Sequence, residues 1–158
     1  MRIRLASLLC GMSATLFMSI ALADEHGARA LLERSSAGNG WDKASAAQVD
    51  IDSDGKPDYV FLRQDATSAT VALILGAQEH RVITRTFRIG GQSQSDLCSG
   101  PVSITVESLD YDPMDEPGAI GGFRRSKAGV SFALVDGECD AFHFYWDVAK
   151  KDLAWWRL

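Results

Sequence analysis

The chain has 158 residues, of which 46% are hydrophobic, enough for one domain that buries a core. It carries 16 Lys and Arg against 21 Asp and Glu, a formal charge of −5 at pH 7. That balance speaks against nucleic acid as a partner, because phosphate binding needs clustered basic side chains to displace counterions.

Arg2 and Arg4 precede an apolar run at 5–22 that ends in Ala21-Leu22-Ala23, the n-region, h-region and A-x-A pattern of a cleavable secretory signal. A run of this length approaches the roughly 20 residues of a membrane-spanning helix. Small residues at the cleavage positions and the acidic pair Asp24-Glu25 directly after them favour removal. A lipid anchor on Cys10 is set aside, since Leu9 stands where a small residue is needed. The expectation is a signal at 1–23 and one β-rich domain at 24–158, located in the periplasm or secreted, without membrane contact. Losing Arg2 and Arg4 leaves 14 basic (16 − 2) against 21 acidic residues, a charge of −7 that suits a basic partner.

Residues 28–34 (ARALLER) predict a short helix, stopped by the turn formers at 35–40. Beyond them the period becomes two. Apolar runs at 59–62 and 71–75 are followed by a β-branched and aromatic stretch at 82–89. Val102, Ile104 and Val106 alternate with Ser103, Thr105 and Glu107, and Val130, Phe132 and Leu134 repeat the pattern. At the C-terminus, 141–146 and 153–158 flank a polar linker at 147–152 and predict a hairpin. Phe142, Phe144 and Trp146 would share one face, with His143 and Tyr145 on the other; core packing is the favoured role, a ligand-stacking platform the alternative. The expected fold is all-β or mainly β: an antiparallel sandwich, small barrel or propeller-like sheet with one N-terminal helix.

Once Cys10 leaves with the signal, Cys98 and Cys139 form an even pair, which in an oxidising compartment predicts a disulfide. A nucleophilic Cys98 would need a free thiol and an activating partner.

The most specific motif is Asp50-Ile51-Asp52-Ser53-Asp54-Gly55-Lys56-Pro57-Asp58. Alternating side-chain oxygens, a glycine for the sharp turn and a further carboxylate suit a hard cation such as Ca²⁺. The start matches an EF-hand loop, but Phe61 stands at the twelfth position and a strand follows in place of a helix. The motif resembles the calcium loop of FG-GAP and VCBS-type extracellular β-proteins, in which D-x-D-x-D-G-x-x-D precedes a strand. That resemblance implies Asp50, Asp52, Asp54 and Asp58 as ligands of a structural Ca²⁺, with the Lys56 carbonyl as a fifth. The alternative is an Asp-rich turn whose carboxylates cap backbone amides.

Two polar loops complete the candidates. Asp110, Asp112, Asp115 and Glu116 lie in LDYDPMDEPGAIGG, which reads as a second cation site, an acidic surface for a basic partner or a solvated connection. Gln92, Ser93, Gln94, Ser95 and Asp96 lie in a loop tethered at Cys98 and suited to insertion into a partner's groove. His26, His80 and His143 are scattered, without H-E-x-x-H, G-x-S-x-G or C-x-x-C, so a carboxylate-based hydrolase is the least favoured class.

In its signal, size, cysteine pair and aromatic ending FHFYWDVAKKDLAWWR, the chain resembles periplasmic immunity proteins that neutralise cell-wall-degrading effectors of type VI secretion. The resemblance implies a non-enzymatic inhibitor whose polar loop plugs the active site of a basic, amidase-like peptidoglycan-degrading enzyme. The alternative is a calcium-stabilised extracytoplasmic binding or adhesion module.

Overall fold

The period of two becomes two four-stranded antiparallel sheets. The computed structural model describes residues 25–157 apart from Ser36, Lys43, 77–80, Glu116, Pro117 and Glu138, and only the backbone of Met114 and Asp115. The expected signal at 1–23 lies outside the described residues, and among those described no helix is long and apolar enough to cross a membrane.

Helix α1 spans Glu25–Arg34, three residues longer at its start than expected from sequence. The first sheet is a meander of β1 (Ala47–Val49), β2 (Asp58–Gln64), β3 (Ser68–Ile74) and β4 (Val82–Arg88), in that order. The second contains β5 (Ser103–Ser108), β8 (Val130–Val135), β9 (Phe142–Asp147) and β10 (Asp152–Trp156), ordered β10-β9-β8-β5. Between β5 and β8 the chain makes a small hairpin of β6 (Met114–Asp115) and β7 (Gly118–Ala119). The expected C-terminal hairpin is β9 paired with β10, Trp146 opposite Leu153.

The sheets pack face to face as an open sandwich, which selects among the architectures expected from sequence. Alternation decides which side chains meet between them. Val60, Leu62, Val71, Leu73 and Phe87 from the first sheet join Phe132, Leu134, Phe142, Phe144 and Trp146 from the second in one buried cluster. Phe132 stacks on Phe144 with centroids 4.4 Å apart, and Phe87 reaches across to Phe142 at 4.9 Å. Phe142, Phe144 and Trp146 therefore serve the core.

The opposite face of the first sheet is also covered. Ala28 and Leu32 of α1 and Trp41 pack against Tyr59, Phe61, Ala72 and Ile74. Burial on both faces explains why β2 and β3 read as continuous apolar runs, where a half-exposed strand would alternate.

The outer face of the second sheet carries His143 and Tyr145. The connection between β5 and β8 folds over it: Phe123 lies 5.5 Å from Tyr145, and Tyr145 donates to the Gly121 carbonyl at 2.8 Å. His143 stacks on Trp156 at 4.5 Å, with its Nδ1 2.8 Å from Glu107.

Candidate metal centre

The aspartate motif is the connection from β1 to β2. Asp50 leaves the first sheet to make a two-bond bridge with Val130 of β8, so the loop begins at a junction between the sheets. Positive φ angles at Ser53 (58°) and Gly55 (80°) turn the chain back, the latter the glycine conformation the motif anticipates. Asp58 then opens β2, fully buried, its Oδ2 accepting the Ile51 amide at 3.0 Å and its Oδ1 the Gly76 amide at 2.9 Å.

The turn brings oxygens of Asp50, Asp52 and Asp58 within 4.8 Å of one another. Calcium–oxygen bonds of roughly 2.3–2.6 Å place ligands on opposite sides of an ion about 5 Å apart, so these three hard oxygen donors are close enough to share one cation, as part of the roughly six to eight oxygens that Ca²⁺ takes. Asp54 stands outside this trio, with its Oδ1 accepting the Lys56 amide at 2.8 Å. Lys56 lies on the exposed rim, where the loop borders a cleft of about 250 Å³ that also touches Val130.

Electrostatics at the trio is unfavourable to charge. Burial, reinforced by Asp52 and then Asp54, pushes the Asp58 carboxyl up to about 7, against the partial relief of its two amide donors. Burial first, and repulsion from Asp54 and Asp50 after it, also raises Asp52. The turn-capping alternative is present in the same loop: the Gly55 amide donates to the Asp50 carboxylate at 3.2 Å and the Asp54 amide to Asp52 at 3.2 Å. Each carboxylate oxygen has two lone pairs, so capping leaves acceptor capacity.

The polar loop after β4 divides into two parts. Gln92, Ser93, Gln94 and Ser95 are exposed, whereas Asp96 is 7% exposed and turned inward. Its carboxylate pairs with Arg88 at 2.6 Å and accepts the Ser93 amide at 3.0 Å, which holds its pKa below the usual carboxylate value. Sequence reading missed Arg157, which donates to the Asp96 carbonyl at 2.7 Å, approaches Cys98 Sγ at 3.4 Å and lies over Phe142. The disulfide Cys98–Cys139 closes the far side, and the buried Asp136 carboxylate accepts the Cys98 amide. Between loop and tail is a cleft of about 280 Å³ lined by Gln92, Gln94, Asp140 and Arg157 among others.

In the acidic loop, Arg125 binds Asp110 through Nε at 2.7 Å and Asp112 through Nη1 at 2.6 Å. This clamp partly neutralises the surface expected there. Asp115 contributes backbone to β6, and Glu116 lies outside the described residues, as does His80.

The chain matches no known family model, no curated protein and no solved structure at significance.

Proposed function

We propose that the protein is a non-enzymatic, calcium-stabilised binding module that works outside the cytoplasm. The carrying observation is the approach of Asp50, Asp52 and Asp58 to within 4.8 Å at the point where Asp50, just after β1, bridges to β8. Ca²⁺ held there would offset the repulsion among the carboxylates and fix the connection between the two sheets. The disulfide supports an oxidising compartment. Thermal melting during calcium titration tests the reading: stabilisation that disappears in Asp52→Asn is expected, and no shift at Ca²⁺ well above about 0.1–1 mM, the affinity range of weak extracellular sites, would overturn it.

A second reading is favoured by the polar loop. Gln92, Ser93, Gln94 and Ser95 project from a base fixed by Arg88–Asp96, Arg157 and the disulfide, so little conformational entropy would be lost on docking. With a net charge of −5, such a protein would be steered toward a basic partner. This supports an immunity protein inhibiting a peptidoglycan-degrading effector. The purified protein should then inhibit a peptidoglycan amidase encoded beside it, with Gln92→Arg weakening the effect; absence of inhibition would remove this reading.

A further inference from the structure

We infer that β5 is an interaction edge on which a second copy of this chain docks, joining the second sheets of two protomers antiparallel across a two-fold axis.

The sandwich treats its two open sides differently. On the β4–β10 side, Arg81 donates to the Lys151 carbonyl at 2.7 Å, and Arg85 donates to the Leu153 carbonyl at 2.9 Å while pairing with Asp152 at 2.6 Å. Arginine side chains thus occupy carbonyls at the margin of β10. On the other side β1 is only three residues long, and a cleft of about 280 Å³ lies between Ala44, Ser45, Ala46 and Ala47 and the start of β5 at Val102, Ser103 and Ile104.

The direction of the free backbone groups follows from the ladder. The Leu109 amide donates to the Gly129 carbonyl at 3.2 Å, and β5 pairs with β8 in the register Glu107 to Ser131, Thr105 to Ala133 and Ser103 to Val135. Bonded pairs alternate in an antiparallel ladder, so these odd-numbered residues bond to β8. Even-numbered residues turn their N–H and C=O outward. Val102 confirms the parity, because both of its outward groups are taken by the Gln64 side-chain amide, at 2.9 and 3.1 Å. The cap ends there. Among the described residues, no partner reaches the outward groups of Ile104, Val106 or Ser108.

Edge strands are ordinarily protected by Lys, Pro, a bulge or brevity. Ser103–Ser108 (SITVES) has six residues and neither Lys nor Pro. Val106 points toward the sandwich interior, opposite the buried Phe132, yet is 49% exposed, and among the described residues no strand is hydrogen-bonded to its outer edge.

The strand is complementary to itself. Antiparallel pairing through the outward residues, with the two-fold at Val106, sets Val106 against its own copy and Ile104 against Ser108. Glu107 then faces Thr105, and its carboxylate is already engaged by His143, so no like charges meet across the new ladder. The pairing is isologous and closes at two chains. Net charge opposes it, since each chain is −5, and salt should therefore strengthen association.

Sedimentation equilibrium of the purified protein tests this. The expected result is a concentration-dependent rise to twice the protomer mass, more complete at high salt. Val106→Lys, at an exposed side chain, and Val106→Pro, which removes an outward N–H that β8 does not use, should both stay monomeric, with far-ultraviolet circular dichroism matching the parent. Mixing Val106→Lys with Val106→Glu should restore the dimer, because only a residue opposite its own copy places those charges together. A parent that stays monomeric to about 1 mM, the limit of weak association, overturns the inference. So does a dimer that persists in folded Val106→Lys and Val106→Pro, or a mixture that does not recover.

Discussion

The buried carboxylate of Asp58 accepts the amide of Ile51, seven positions earlier, at 3.0 Å. One side chain thereby fixes the start of the aspartate loop to the strand at its end, and its ionisation is coupled to the fold. Burial raises its pKa from 3.8 to about 7, so the native state binds the proton more tightly than the unfolded chain. Stability from this group is full below pH 3.8 and lost as pH rises to about 7. The effect is on the order of 4 kcal/mol at most. Without calcium, the Asp58→Asn variant should therefore gain on the parent as pH rises from 4 to 7, read by chemical denaturation. With calcium at pH 7, the parent should recover and the variant should not.

Asp65 behaves in the opposite sense. It caps the β2–β3 turn by accepting the Thr67 amide at 2.7 Å, the Ser68 amide at 2.8 Å and both hydroxyls, which lowers its pKa to about 2. A depressed native pKa gives stability above pH 3.8 that is lost as pH falls through 2. Asp65→Ala should melt below the parent at pH 7, and the difference should shrink toward pH 2. A gap independent of pH would show that charge is not the cause.

The disulfide joins residues 41 positions apart. In the chain-entropy model such a crosslink stabilises the fold by about 4 kcal/mol. Replacing both Cys98 and Cys139 by Ser should lower the denaturation midpoint by that order. Proteolysis should also find new cleavage between Gly91 and Ser99, since the loop would lose its covalent tie and keep only non-covalent ones, among them Arg88–Asp96, Arg157 and the Leu97 bonds to Arg88 and Gly90.

Phe132 and Phe144 form the stacked pair at the centre of the core, both fully buried. Phe132→Ala should cost roughly 3–5 kcal/mol in equilibrium unfolding, and Phe132→Leu clearly less, because it leaves a smaller cavity. Equal losses would mean that ring stacking outweighs volume.

Much of this fold was legible because β-alternation and turn residues are local properties. The C-terminal hairpin and the disulfide stand where the sequence placed them. β1 and the β6–β7 hairpin, at three and two residues, are too short to show any period. Val106 shows a different limit: alternation identifies the inward face of a strand but not whether another strand covers it. At the candidate centre, the spacing of four aspartates was visible, whereas which three of them converge is set by the path of the turn, and that path leaves Asp54 outside. Asp96 reads as one more surface acid in a polar loop. Its burial depends on Arg88, eight positions earlier, and on Arg157, 61 later, partners that no local pattern connects.

The strand order also has a consequence in time. The first sheet grows by neighbouring hairpins, each strand pairing with the next in sequence, whereas β5 must wait for β8 across the segment 109–129. Local closures cost less chain entropy and form sooner. Assembly should therefore begin with β2, β3 and β4, and the sandwich should close only when β8 arrives between β5 and β9. Pulse-labelled hydrogen exchange should find protection of the Phe61 and Leu73 amides, which face β3 and β4, before that of Ala133, which faces β5; simultaneous protection would mean that the two sheets nucleate together.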